Sequence, residues 1–332
     1  MFSRLLIYGE SWIGCHGKLL HDDLIAKGNT VDIFDHTHLI PGIINRSLFQ
    51  RIQRKIFIEY YKYKIRKKFW EKIQEFKPSC ILICKGLHLD RKLLQKIKDK
   101  GYYIINWNPD DFLNSFNSNK ELIKSIPKYD LIISSRPHLF DEYRSLGAKD
   151  IMYLDWYFVK ELHKKRNLKI NFDVSLVGSW SKRREKIISK LPHEVNVWGG
   201  GWQKASKEFH NQNNVHLEVL TQEEMSKVFE QSKFNLNLLT SENRDFTNLR
   251  FFEVPASNGL LVTERNRDSE TILTDGVDCI MFSGVEELVQ RLEAQTETTS
   301  LAIKGYERIT QSNHEFSNRV DSIVEYLENI QE

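Results

Sequence analysis

The chain contains no Cys-x-x-Cys pair, no Asp-x-Asp and no Gly-x-Gly-x-x-Gly. The first absence argues against a redox motif or a zinc site. The second removes the usual carboxylate pair for a divalent ion beside a diphosphate, so no metal and no cofactor are expected. The third removes the dinucleotide fingerprint. Cys15, Cys80, Cys84 and Cys279 lack metal-ligand spacing, which suits free thiols in a reducing cytoplasm. No apolar run approaches the roughly eighteen residues that a membrane span requires. Leu5-Leu6-Ile7 is too short for a secretory leader and runs into Gly9. A net charge of +3 is too small to suggest a nucleic-acid partner. A cytoplasmic protein is expected.

What is present is an ordinary soluble composition, 40% hydrophobic and 28% charged, over 332 residues, a length that suits two domains. The charge is unevenly placed. Between Arg46 and Lys77 eleven Lys and Arg face only Glu59, Glu71 and Glu75. Leu48, Ile52, Ile56, Phe57 and Tyr60 fall on the apolar side of one or two helices there. Such a segment can lie on an anionic membrane, giving peripheral contact at the inner face. The three glutamates and the stop at Pro78 favour a solvated helix whose Lys stems cover apolar surface.

The order of elements repeats. A strand over residues 3–8 leads into a loop with Gly9, Gly14 and Gly17, a helix ending at Gly28, and a strand over Val31–Phe34. Further strand–helix units start at Cys80–Cys84, Tyr102–Trp107 and Leu131–Ile133. This alternation predicts a parallel sheet with helices on both faces and ligand groups at the carboxyl ends of the strands. Glu10 and His16 in the first loop, with Asp110 and Asp111 after Trp107, are the candidates for binding a substrate there. Asp110 is also a candidate base. A turn with a helix N-cap accounts equally well for the two aspartates. The pattern breaks near 150–172, which places one Rossmann-like domain at 1–160 and a second at 170–315. The last helix, 316–332, is expected to cross back to the first domain.

The second half restarts with the strand Phe172–Val177 and the turn Gly178-Ser179, then Lys182-Arg183-Arg184 opening a helix. A Gly-Ser turn beside arginine is a plausible diphosphate cradle. Val195–Trp198 is a strand running into Gly199-Gly200-Gly201-Trp202. Three glycines let a ligand approach the backbone, and the Trp202 that follows them could stack on a base or sugar; a mobile loop is the alternative. The organising stretch is Asp245 to Glu264. Leu249, Phe252, Val254 and Ala256 form the buried stripe of a short helix closed by Asn258-Gly259. Arg250 and Glu253 lie three apart on one face at its start, where phosphate is attracted. Arg250 suits a diphosphate and Glu253 a pair of hydroxyls, although an intrahelical salt bridge explains the pair as well.

Two α/β halves facing each other across a cleft suit an enzyme that joins two ligands, with a nucleoside diphosphate on the second half. In this arrangement the residues resemble the CgeB/YkvP-type glycosyltransferase-like family. The similarity runs from about 172 to 328, through Asp173–Ser179 with Arg183, Trp198–Trp202, Lys233–Leu238, Asn248–Glu253, Gly259–Thr263, Thr274–Asp278 and His314–Phe316 with Arg319. The resemblance implies a GT-B fold and transfer of a sugar from a nucleotide-sugar donor to a saccharide, lipid-linked or protein acceptor, with retention and without metal. It places Glu253 on the donor ribose and the acidic residue eight positions earlier, Asp245 (here shorter than the usual Glu), on the donor sugar. Arg183 and Arg250 would hold the diphosphate. Gly178, Ser179, Trp198, Gly199, Gly200 and Asn248 complete the expected donor site. Glu10, His16, Asp110 and Asp111 fall on the acceptor side. The alternatives are a nucleotide-sugar epimerase or hydrolase of the same fold, and a non-catalytic saccharide-binding or coat protein.

Overall fold

The computed structural model describes residues 4–42, 47–111, 113–115, 117–240 and 246–329. The chain divides into two compact units, one formed by the residues up to Asp155 together with those from Val320 onward, the other by Trp156–Arg319.

Unit 1 is built on a six-stranded sheet: β1 (Leu5–Tyr8), β2 (Val31–Phe34), β3 (Cys80–Cys84), β4 (Tyr103–Trp107), β5 (Leu131–Ser134) and β6 (Ile151–Tyr153). The order is β2-β1-β3-β4-β5-β6 and every pairing is parallel. β1, β3 and β5 are buried along their whole length, as strands covered on both faces must be. Three of the helices are α1 (His16–Ala26), α2 (Leu48–Ile56) and α3 (Ile58–Phe76). Tyr61, Ile65, Phe69 and Ile73 recur at four-residue spacing, so one stripe of α3 enters the core. Strand order reverses at β1, whose neighbours are β2 and β3. Ligand crevices open at such points, beyond the carboxyl ends of the strands.

Unit 2 repeats the design with β7 (Phe172–Val177), β8 (Val195–Trp198), β9 (Asn214–His216), β10 (Ser232–Asn237), β11 (Leu261–Glu264) and β12 (Ile280–Phe282). The order is β12-β11-β10-β7-β8-β9, again all parallel, and the reversal falls at β7 between β10 and β8. The helix Phe316–Asn329 starts in unit 2, where the Arg319 guanidinium donates to the Trp156 carbonyl at 3.0 Å. From Val320 it belongs to unit 1; Asp321 pairs with Lys27, and the Tyr326 hydroxyl donates to Asp150 at 2.5 Å. The four cysteines are free and buried.

Candidate active site

In unit 2 the candidate groups gather at the carboxyl ends of β7 and β10. The helix Arg250–Ala256 is short, carries Pro255 and needs help to start. A chain of amides provides it. The Asn237 side chain donates to Thr263 Oγ1 at 3.1 Å and accepts from the Asn248 amide at 3.0 Å; Asn248 Oδ1 accepts from the Arg250 backbone N–H at 3.0 Å. Asn248 thus uses both ends of its side chain inside the protein. The second of these bonds caps the helix start.

Arg250 reaches back to the Val177 carbonyl at 3.3 Å, and its guanidinium lies 5.3 Å from the centre of the Phe229 ring. It also forms an ion pair with Glu253. The two partners differ in access. Arg250 keeps 21% of its side-chain surface, whereas Glu253 keeps 3%. The ribose-facing carboxylate expected at Glu253 is therefore turned into the protein, and the intrahelical salt bridge is the geometry adopted. Glu253 also has a buried histidine beside it. His163, within the basic stretch after Val159, is buried, and its Nε2 lies 3.7 Å from Glu253 Oε1. The Val159 N–H donates to His163 Nδ1 at 3.0 Å, so the neutral ring carries its proton on Nε2, toward Glu253. Burial lowers the His163 pKa and the Glu253 charge opposes the shift.

Arg183 and Arg184 take different directions from the start of one helix. Arg183 is half exposed; it pairs with Glu264 at the end of β11 and donates to the Leu239 carbonyl at 3.1 Å. Arg184 is buried. Its Nε and one terminal nitrogen donate to the Leu238 carbonyl at 3.0 and 2.6 Å, and the other donates to the Ser179 carbonyl at 2.7 Å. The outer arginine is the one expected at the diphosphate; the inner one shapes the Gly178-Ser179 turn.

The glycine run serves the protein's own backbone. Gly199 has φ of +133°, and a β-carbon there would lie 2.4 Å from the Gly178 carbonyl oxygen. The turn at Gly178–Trp180 is stitched to it by Gly178 N–H to Trp198 O at 2.8 Å and Trp180 N–H to Gly200 O at 2.9 Å. The ring of Trp202, expected to stack on a ligand, is stacked on Phe209 instead, and Trp198 is covered as well. Trp198 is buried with the His216 ring parallel to it at 4.1 Å, and Trp202 is buried with its indole N–H on the Gly178 carbonyl at 2.8 Å. Asp245 lies outside the described residues.

In unit 1, Glu10 follows β1, His16 opens α1 and Asp110 follows β4. Between them stands Lys85, directly after β3. Its Nζ lies 2.7 Å from an Asp110 carboxylate oxygen. Lys85 has φ of +60°, and the Gly86 N–H bonds the Cys84 carbonyl at 2.7 Å across it. A lysine in this conformation is strained, and such strain concentrates at binding sites. A small cavity is lined by Glu10, His16, His36, Cys84, Lys85 and Pro109. Burial raises the Glu10 pKa against the pull of Lys85. Burial, reinforced by Lys85, lowers that of His16 to about 3, so its ring is neutral and a weak base. Asp111 departs from its acceptor assignment: it is buried and accepts the Leu113 and Asn114 N–H groups at 3.1 and 3.2 Å, the turn alternative. Asp110 keeps a third of its side-chain surface.

Comparison with known proteins agrees with this architecture. Residues 166–325 match the model of the Glycosyl transferase-like family. Sucrose-phosphate synthase from Thermosynechococcus elongatus superposes with a TM-score of 0.74 at 11% identity, covering 99% of each chain. The E. coli trehalose-6-phosphate protein solved with UDP-2-fluoro glucose gives 0.66 at 12% identity, covering 98% of this chain and 99% of that one. Anabaena HepE in complex with UDP-glucose gives 0.64 at 13% identity over the same shares. No match is found among curated protein sequences. The fold is the GT-B fold of glycosyltransferases, and its second unit carries the match to the Glycosyl transferase-like family.

Proposed function

We propose that the chain is a cytoplasmic glycosyltransferase of the CgeB/YkvP type. It moves a sugar from a nucleoside diphosphate held by unit 2 to a glycan, lipid-linked or protein acceptor held by unit 1, with retention and without metal. The observation that carries this reading is the placement of two partly accessible guanidinium groups at the strand-order reversal of unit 2. Arg250 stands against the Val177 carbonyl at the end of β7, and Arg183 against Leu239, just beyond β10. Arg250 thereby stands beside the turn at Gly178. The HepE and trehalose-6-phosphate structures were solved with UDP-glucose and UDP-2-fluoro glucose, the donor class this reading requires.

In this reading the bond between the anomeric carbon and the diphosphate oxygen breaks first in the transition state. The two arginines stabilise the charge that collects on the leaving oxygens. The acceptor hydroxyl attacks from the face the diphosphate leaves, and its proton passes to that departing group, so a strong enzyme base is not needed. Glu253 acts through Arg250, holding the guanidinium in place rather than touching ribose. On the acceptor side, Glu10, Lys85 and Asp110 supply the groups that bind hydroxyls. Asp245 retains its expectation on the donor sugar.

The test is turnover with UDP-, GDP-, dTDP- and ADP-sugars and a panel of saccharide and lipid-linked acceptors, with and without EDTA. The expected result is acceptor-dependent release of nucleoside diphosphate, indifference to EDTA and retained anomeric configuration by NMR. Donor turnover that needs no acceptor would instead mark a hydrolase or epimerase. Absence of heat on titration with every nucleotide would mark a saccharide-binding protein.

A further inference from the structure

We infer that α2 and the outward face of α3 form a surface that seats on an anionic lipid bilayer. At about 100° per residue, Leu48, Phe49, Ile52 and Ile56 fall within an arc of about 100°. Ser47 caps this helix through the Gln50 N–H at 3.3 Å, so the face is set by a defined helix start. On a helix that packs against a core, this arc would be covered. Here α2 has no buried residue at all, and Leu48, Phe49, Ile52 and Ile56 are 72, 75, 50 and 67% exposed. The apolar side continues through Phe57, Tyr60 and Tyr63, each more than half exposed, while the opposite stripe of α3 fills the core. Over this stretch the apolar side chains are left open to solvent, whereas farther along α3 Arg66 and Lys72 pair with carboxylates. Arg46, the first cation of the segment, lies outside the described residues.

Charge decides the occupant. Arg51 and Arg54 occupy the polar side of α2, Lys55 borders its apolar arc beside Leu48, and Lys64, Lys67 and Lys68 follow on α3. Arg51, Lys55 and Lys67 are exposed and have no carboxylate partner among the described residues. An apolar stripe beside unneutralised cations matches the acyl–headgroup boundary of a bilayer with anionic lipids, where side chains enter and Lys and Arg meet phosphate. A second copy of the same surface would oppose cation to cation. Among the described residues no helix is long and apolar enough to cross a membrane, which is consistent with a surface-lying role for α2.

This inference stands apart from the transferase reading, because vesicle binding needs no sugar nucleotide. The experiment is co-sedimentation of the full chain with phosphatidylglycerol–phosphatidylcholine vesicles and with phosphatidylcholine alone, at low and high salt. Binding is expected to the anionic vesicles and to weaken with salt. Arg51→Gln, Lys55→Gln and Lys67→Gln combined should lower the partition coefficient roughly a hundredfold, at about fivefold per cation. Phe49→Ser, Ile52→Ser and Ile56→Ser combined should lower it about tenfold or more. Both triple variants should keep the parental melting temperature, since none of the side chains is buried. Equal binding to neutral vesicles, or none to anionic ones, would overturn the inference. So would a serine variant that melts several degrees earlier, showing a core role, or one that turns a dimer into a monomer in light scattering without affecting vesicle binding.

Discussion

Removing the Glu253 carboxylate strips a partly buried guanidinium of its partner, so Glu253→Ala cannot be a clean probe of chemistry. With Glu253 at 3% side-chain exposure, the alanine variant should lose about 3 kcal/mol of stability in urea unfolding. Glu253→Gln keeps the shape and one acceptor for Arg250, and should lose much less while still weakening nucleotide binding through a looser arginine. Equal stability of the alanine and parental proteins would show that the pair is not formed in solution. A second residue reports on unit 1. His36 is buried, stacked on Tyr8 at 4.8 Å, with His88 nearby, and burial chiefly lowers its pKa to about 4. Unfolded, it titrates near about 6.5. The unfolded chain therefore binds the extra proton between these values, and the contribution of His36 is present above about pH 6.5 and lost as pH falls toward 4. The loss is about 3 kcal/mol, read as the change in unfolding free energy between neutral pH and about pH 4. His36→Phe should reduce the pH slope in that window by up to one proton, and an unchanged slope would remove His36 from the account.

At the scale of elements, the close approach of the turns after β7 and β8 sets the shape of the proposed donor site. Gly199→Ala would place a β-carbon 2.4 Å from the Gly178 oxygen, at a φ that alanine avoids. It should destabilise by roughly 2 to 3 kcal/mol and weaken nucleotide binding. Gly200→Ala meets nothing within 4 Å and should be neutral within about 0.5 kcal/mol. A calorimetric comparison of the two reads the difference; equal melting temperatures would mean that the turns do not interlock. The strands on either side were legible in the sequence because each is an apolar run bounded by turn residues, as in Cys80–Cys84 and Leu131–Ser134. Their alternation with helices also implied parallel pairing. The side chains at their ends were less legible, for stated reasons. Arg183 and Arg184 are adjacent in sequence, and which one turns inward depends on the Leu238 carbonyl, fifty-four residues away. Trp198 is covered by His216 from the neighbouring strand, a pairing no local pattern records. Of two adjacent aspartates, Asp111 took the turn and Asp110 met Lys85. His163 lay in a run of Lys and Arg that reads as a linker; only its four-residue separation from Val159 hinted at a local bond.

For the molecule as a whole, the two units each carry a complete sheet and their own buried clusters, so ligand binding should be felt unequally along the chain. In the proposed reading a nucleoside diphosphate binds folded unit 2 and not the unfolded chain. At a hundredfold excess over its dissociation constant it adds about 2.7 kcal/mol to stability. In hydrogen exchange that gain should appear first in the amides of the Gly178–Ser181 turn and the start of the helix Arg250–Ala256, where the proposed phosphate contacts lie. The amides around Glu10, Lys85 and Asp110 in unit 1, the proposed acceptor side, should slow only when an acceptor is added. The outcome distinguishes a donor site in unit 2 from a site anywhere else on the fold. Protection by UDP, GDP, dTDP or ADP that falls on the carboxyl ends of β1 and β3, leaving Gly178 and Arg250 unchanged, would exchange the roles of the two sheets. Arg250 would then keep its bond to the Val177 carbonyl and its ion pair with Glu253 as structure alone.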